Sequence, residues 1–407
     1  MAQARLRRHP DVPVGLAPGP PGGLMSTTVP AGFRAAGVTA GLKASGRPDV
    51  AVVVNDGPDH HAAVVLTSNR VQAAPVVWTR QVLSDGRVDA VVLNSGGANA
   101  CTGPEGFADT HRTAEHVAQV LGVSAGDVAV CSTGLIGERL PMDALLGGVD
   151  AAAAALSADG GADAAEAIMT TDTVSKTATA TRDGWSVGGM AKGAGMLAPA
   201  LATMLVVVTT DAVTTPEVLD AALREATRTT FDRVDSDGCQ STNDTVLLMA
   251  SGASGVPVDP DELTEAVREV CSELARALIG DAEGAKHDIA ITVRGAASED
   301  DGLEVARSVA RNNLFKCAVF GEDPNWGRVL AAVGTTRAVF EPDRLDVSMN
   351  DVQVCRAGGV GEDRSAVSLA GREVSVVVDL HAGEHEVTVW TNDLTHDYVH
   401  ENSAYST

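Results

Sequence analysis

The stretch Gly189–Ala212, GMAKGAGMLAPALATMLVVVTTDA, constrains this chain more than any other. Its first half is small and pliable, with Gly193, Ala194, Gly195 and the Ala198-Pro199-Ala200 run. Its second half, Met204 to Val208, is a short apolar run rich in β-branched residues and predicts a buried strand. Thr203 stands at the junction, preceded by the small Ala202. A hydroxyl at the start of a buried strand, fed by a pliable loop, is the setting of a self-processing nucleophile. Cutting the Ala202–Thr203 bond would free an α-amine beside the hydroxyl. Such an amine ordinarily titrates at about 7.7–8.0 and so acts as a base near neutrality. From spacing alone, an ordinary strand threonine is the plainer reading.

The rest of the composition narrows the field. With 407 residues and 44% hydrophobic content there is ample core, but aromatics are only 3%, so that core must be Ala, Val and Leu. A formal net charge of −24 argues against nucleic-acid or anionic-membrane partners and weakly favours small cationic substrates. Lysine occurs only at Lys43, Lys176, Lys192, Lys286 and Lys316, so Lys192 stands out inside the junction stretch. The six cysteines lack CxxC spacing and the histidines show no ligand cluster, which predicts no metal site and mostly buried, reduced thiols. No apolar run is long enough to span a bilayer.

Residues 1–24 carry Arg5, Arg7, Arg8 and LAPGPPGG without the apolar core of a secretory signal, and read as a disordered tail with Met25 as an alternative start. Strands are expected at 50–55, 63–67, 88–94 and 128–134. Between the last two lies SGGANACTG, a glycine-rich turn suited to an oxyanion or to simple chain reversal. Helices are expected at 110–121, 142–157 and 161–168, and capping boxes start further helices at Thr214-Thr215-Pro216-Glu217 and Asp259-Pro260-Asp261-Glu262, the latter ending at Gly280. HDIAITV predicts a strand, and the final hundred residues read as mostly β. Both tyrosines, Tyr398 and Tyr405, fall in the last twelve residues, which predicts a docked tail. Interleaved strands and helices indicate α/β or α+β layers.

Taken together, AGFRAAG (31–37), NSGGANACTG (94–103), CSTGLIG (131–137), MTTD (169–172), KGAGMLAP through TTDA (192–212), STNDTV (241–246), FGEDPNWGR (320–328) and ENSAYST resemble the ornithine acetyltransferase family, the glutamate N-acetyltransferases of the cyclic arginine pathway. The resemblance runs from about Ala31 to Thr407. It implies an α/β (α+β) fold, a layered αββα arrangement of the ornithine acetyltransferase and aminopeptidase-like type. It implies a self-cut at Ala202–Thr203, giving an alpha chain of residues 25–202 and a beta chain of residues 203–407 that assemble as a heterotetramer of two alpha and two beta chains in the cytoplasm. Thr203 becomes the nucleophile, and Thr133 and Gly134 of the STG motif the oxyanion hole. Substrate contacts carry over to Thr170 (with Thr171 as its neighbouring candidate), Lys192, Thr203, Glu283, Asn402 and Thr407. One departure is Gly97, where many family members have Asn.

The implied substrates are N-acetylornithine and glutamate. Their shared α-amino-acid head lets one site serve both in ping-pong order through an acetyl-Thr203. No cofactor is required, and acetyl-CoA would enter, if at all, as a second donor substrate. By charge, Glu283 suits an amine-bearing end and Lys192 a carboxylate. Three rivals compete with this reading: a self-processing aminopeptidase or amidase of similar fold, a secondary-metabolite acetyltransferase of the same family, and an amino-acid-binding protein that no longer cuts itself.

Overall fold

The computed structural model describes residues 26–198 and 204–404. The tail at 1–24, the alternative start Met25, the Ala202–Thr203 bond, Tyr405 and Thr407 lie outside the described residues.

Continuous apolar runs become strands buried on both faces. Phe33–Val38, Val50–Asn55, Ala90–Ser95 and Val128–Thr133 form a four-stranded sheet in that order. Its last pair is parallel and the others antiparallel. A five-stranded sheet runs His61–Leu66, Thr245–Ala250, Leu205–Thr210, Trp185–Lys192, Lys176–Arg182. The period-2 side-chain alternation of a strand sends alternate residues into different layers. Val50, Val52 and Val54 face the helices Gly103–Leu121 and Met142–Ala155, whereas Ala51 and Val53 meet Leu205, Val207, Leu247 and Met249 of the other sheet. Val206, Val208, Val246 and Leu248 in turn pack under helices Pro216–Thr229 and Pro260–Gly280. The layering is therefore αββα, as the resemblance implies.

A third, six-stranded sheet is built from residues 288–392. It turns Ile289, Ile291, Val293, Val374, Val376 and Val378 towards helices Glu299–Ala310, Asn313–Phe320 and Trp326–Val333.

The expected elements fall within a few residues of their observed bounds in the first two sheets. Both helices start at a side-chain cap: the Thr215 hydroxyl, one residue on from the Thr214 of the expected box, accepts from the Val218 N–H, and the Asp259 carboxylate accepts from the Asp261 and Glu262 N–H groups. Three expectations need correcting. Helix Gly103–Leu121 starts seven residues before Thr110, because Pro104 sits in its first turn directly after the glycine-rich loop. The final hundred residues are not mostly β, since they open with helices and close with helix His396–Ala404. Half the cysteines, Cys101, Cys239 and Cys317, are exposed rather than buried. Among the described residues, no helix is long and apolar enough to cross a membrane.

Candidate active site

Lys192 ends the buried strand Trp185–Lys192 instead of lying in the pliable loop, and pairs across the ladder with Leu205. That pairing sets it beside the start of the strand whose sequence begins two residues after Thr203. Its Nζ lies 3.3 Å from Thr133 Oγ1, at the end of strand Val128–Thr133 in the facing sheet. An ammonium only donates, so the Thr133 oxygen accepts here and its own O–H is free to donate elsewhere. The Thr133 carbonyl accepts from the N–H groups of Gly96 and Gly97, each at 3.0 Å. The Gly97 contact is made by backbone, so it does not depend on a side chain at that position. Gly134 follows at φ +131, and a Cβ there would lie 2.5 Å from the Gly97 nitrogen, so glycine is required for this loop crossing. Thr133 and Gly134 thus sit fixed at one strand end, facing Lys192.

The Thr170–Asp172 turn is tied to the same place by Asp172, a residue that the sequence does not single out. Its Oδ1 accepts from the Gly193 N–H and from Lys176 Nζ, both at 2.7 Å. Its Oδ2 accepts from the Thr170 N–H at 2.9 Å. Lys176, buried, also reaches Asp281 at 2.6 Å, and Asp281 in turn takes the Thr173 N–H at 3.0 Å. Burial works to raise the Asp172 carboxyl. The charges of Lys192 and Lys176, the Lys176 hydrogen bond and the Thr170 N–H outweigh it, so the group is held well below the usual carboxylate range. Lys192 is fully buried and its pKa is pushed down by burial, with Lys176 adding to that and Asp172, Asp244 and Glu283 opposing it. A second residue missed from sequence is Asp244. Its Oδ1 accepts the Met204 N–H at 3.0 Å, and burial pushes its carboxyl well above the usual range against Met204, Ser241 and Lys192.

On the opposite side, Glu283 grips the loop after Lys192. Its N–H donates to the Ala194 carbonyl at 3.0 Å. Its carboxylate lies so close over Gly195 that a Cβ there would sit 2.6 Å from Oε2. Asn402, on the exposed tail helix, donates to Glu283 Oε2 at 2.9 Å. That helix is anchored by the Thr395 hydroxyl on the Gly284 carbonyl and by the Lys286–Asp397 ion pair, each at 2.7 Å, while Tyr398 is half-buried. The tail is therefore docked as far as Asn402.

Thr133, Thr170, Lys192, Glu283 and Asn402 are tied, directly or through Asp172 and Glu283, to residues 192–195, with Gly134 adjoining Thr133. Thr171 makes no side-chain hydrogen bond among the described residues, whereas Thr170 is bound to Asp172 by its N–H and, at 3.5 Å, by its hydroxyl. The missed Asp172, Lys176 and Asp281 had one signal in the sequence, which is that Lys176 is among the few lysines of the chain. Two surface clefts of about 450 and 750 Å³ lie elsewhere and contain none of these residues. Convergent chemistry, rather than concavity, locates the site. Among the described residues there is no group of three or more His, Cys, Asp or Glu side chains placed to hold a metal.

The sequence profile of the ArgJ family matches residues 34–407. The arginine biosynthesis bifunctional protein ArgJ of Streptomyces coelicolor is 67% identical over 382 residues, 94% of this chain and 100% of that protein. The protein of the same name from Mycobacterium tuberculosis is 57% identical over 387 residues, 93% of this chain and 96% of that protein. The crystal structure of ornithine acetyltransferase complexed with ornithine, also from Mycobacterium tuberculosis, is 58% identical, covers 45% of this chain and 97% of its own, and superposes with a TM-score of 0.43. A profile match over nearly the whole chain, with full-length relatives at this identity, has one meaning: the chain belongs to the ArgJ family.

Proposed function

We propose that this ArgJ-family protein cuts itself at Ala202–Thr203 and then moves an acetyl group from N-acetylornithine to glutamate through Thr203. The observation that carries this is that Asp244 holds the Met204 N–H and that Lys192, bonded to the Thr133 hydroxyl, pairs with Leu205, Met204 and Leu205 being the two residues that follow Thr203. In the cut, Thr203 Oγ attacks the Ala202 carbonyl, the Ala202–Thr203 C–N bond breaks, and water hydrolyses the resulting ester. The products are a carboxylate on Ala202 and a free amine on Thr203. The chains are then residues 25–202, or a form that keeps residues 1–24, and residues 203–407. We place two of each in the working assembly.

In turnover, the Thr203 amine takes the Oγ proton as Oγ attacks the acetyl carbonyl. The Thr133 O–H and Gly134 N–H stabilise the oxyanion, a contribution of about a hundred- to a thousandfold per donor. The C–N bond breaks with the proton passing to the departing ornithine amine, and glutamate's amine then takes the acetyl group. Lys192, Thr170, Glu283, Asn402 and Thr407 hold the amino-acid parts of both substrates. No cofactor takes part. Acetyl-CoA as a second donor would match the bifunctional name of the relatives. The setting is the cytoplasm.

Denaturing electrophoresis with N-terminal sequencing of the smaller chain tests the first half, and the expected start is Thr-Met-Leu-Val. Purified protein with glutamate plus either N-acetylornithine or acetyl-CoA tests the second. An active protein that remains one full-length chain, or one that passes acetyl only to water, would end this reading.

A further inference from the structure

Lys43 is half-buried on the 39–48 loop and belongs to no motif that carries the family resemblance. The loop is unusually well held. The buried Asp49 carboxylate accepts four consecutive N–H groups, from Ala40, Gly41, Leu42 and Lys43, at 2.6 to 3.1 Å. Such a nest fixes backbone position at a charged cost that an idle surface loop does not need. On its inner side the Leu42 carbonyl packs against Gly96 of the loop that binds the Thr133 carbonyl. Lys43 Nζ reaches the Pro48 carbonyl at 2.7 Å and the Ala167 carbonyl at 3.5 Å, three residues before Thr170. Arg47 of the same loop rests on Met169 Sδ at 3.8 Å. The Lys43 ammonium feels both Asp172 and Lys192.

The lysines divide sharply by partner. Lys176 is held by two carboxylates and Lys286 by one. Lys43, Lys192 and Lys316 have carbonyl and hydroxyl oxygens as their only hydrogen-bond acceptors among the described residues, and of these three Lys43 and Lys192 lie beside the loop that holds Thr133. Both feel carboxylates at a distance, Asp49 and Asp172 for Lys43 and Asp172, Asp244 and Glu283 for Lys192, but none hydrogen-bonds either ammonium, which leaves both able to take an anionic ligand. Every α-amino acid brings one carboxylate. Glutamate brings a second at its side-chain end, where ornithine carries an ammonium that Glu283 suits and a lysine repels.

We infer that Lys43, flanked by Arg47, binds the side-chain carboxylate of the glutamate acceptor and sets acceptor choice, with Asp49 as the positioning residue behind it. This deepens the acetyl-transfer reading and rests on it. The test uses self-cut wild-type, Lys43→Met, Lys43→Glu and Lys43→Arg proteins in two assays: acetyl transfer from N-acetylornithine to glutamate, and exchange of labelled ornithine into N-acetylornithine. Losing a charge-assisted contact should raise the KM for glutamate about ten- to a hundredfold in Lys43→Met and further in Lys43→Glu. The KM for ornithine in exchange should stay near wild type, and Lys43→Arg should recover glutamate use. Equal losses for glutamate and ornithine would make Lys43 a contact to the shared α-carboxylate or a structural residue, and overturn the inference, as would no change for either. Wild-type protein that supports no exchange at all would instead remove the functional reading, and this one with it.

Discussion

The two facing sheets and the third sheet solve the same packing problem in different ways. The third sheet hides almost nothing but hydrocarbon. Ile289, Ile291, Val347, Val376, Phe315 and Val389 are fully buried, and its ion pairs, such as Arg294–Asp379 and Arg372–Asp288, have their arginines at the surface. Where it and its helices bury polar groups, at His287, Lys316, Thr391, Asn392 and Asp393, several knit it to the neighbouring layers: Asn392 Nδ2 reaches the Ile279 carbonyl at 3.1 Å and Lys316 Nζ the Ser236 carbonyl. The facing sheets instead bury Lys176, Lys192, Asp172 and Asp244 at their strand ends. Buried charge is a poor way to gain stability, because desolvation offsets the attraction between partners. Its concentration at the facing strand ends, against a few scattered groups around the third sheet, is what the proposed chemistry would require and what mere support would not.

That contrast is open to direct attack. Lys176→Met strips Asp172 and Asp281 of their shared cation while leaving both buried, and should destabilise the fold by about 3–5 kcal/mol. A thermal melt close to wild type would mean that the buried cluster is not coupled as its contacts suggest. Thr133→Val keeps the shape of the side chain and removes the hydroxyl. The expected fall in kcat is about a hundred- to a thousandfold, with the melt changed far less. An unchanged kcat would take the oxyanion role away from Thr133. Deleting residues 402–407 removes Asn402 from Glu283. The Ala202–Thr203 cut should still occur while the KM for N-acetylornithine rises steeply, since uniform substrate binding appears mainly in KM. Wild-type KM values for both substrates would reduce the tail to a structural strap.

On the supporting side, Ile291→Val should cost only about 0.5–1.5 kcal/mol in a melt and nothing in kcat/KM. A kinetic effect there would break the division between working and supporting regions. The smallest effect concerns Lys43, whose pKa burial and Arg47 push down to about 8, while the partner Asp397 raises that of Lys286. Deprotonation makes an amine nucleophilic, so Lys43 should become reactive as pH passes through 8 while Lys286 stays charged. Peptide mapping after brief acylation at pH 8 should find Lys43 modified first, and the reverse order would contradict the difference in their surroundings.

Local signals in the sequence locate much of this. The caps at Thr215 and Asp259 and the apolar runs at 50–55 and 128–133 are readable because a cap or a two-faced strand depends on neighbours in sequence. The start signal at Ser298, whose hydroxyl accepts the Asp301 N–H, is equally local, yet the helix it opens falls outside the β-rich expectation. Thr133 and Glu283 are reachable only by resemblance, and Lys192 is marked by the scarcity of lysine but given its role only by resemblance, since the three come from separate elements. Beyond the rarity of lysine, nothing in the sequence points to the Asp172, Lys176 and Asp281 cluster, because Asp281 meets Lys176 and Thr173 from 105 and 108 residues away. The strand position of Lys192 was hidden by the glycines around it, which read as loop until the ladder with Leu205 is seen.

The strand Leu205–Thr210 lies inside its sheet, between Trp185–Lys192 on one side and Thr245–Ala250 on the other. A chain cut at Ala202–Thr203 would therefore hold one neighbour from each product, with His61–Leu66 closing the far edge on Thr245–Ala250. Unfolding would change its molecularity at that moment. Before the cut, denaturation and refolding are first-order events of one molecule. Afterwards, reassembly needs two pieces to meet, each lacking strands that its partner owns. The midpoint of denaturation then depends on protein concentration. The cut would turn a one-molecule folding equilibrium into a dilution-sensitive one.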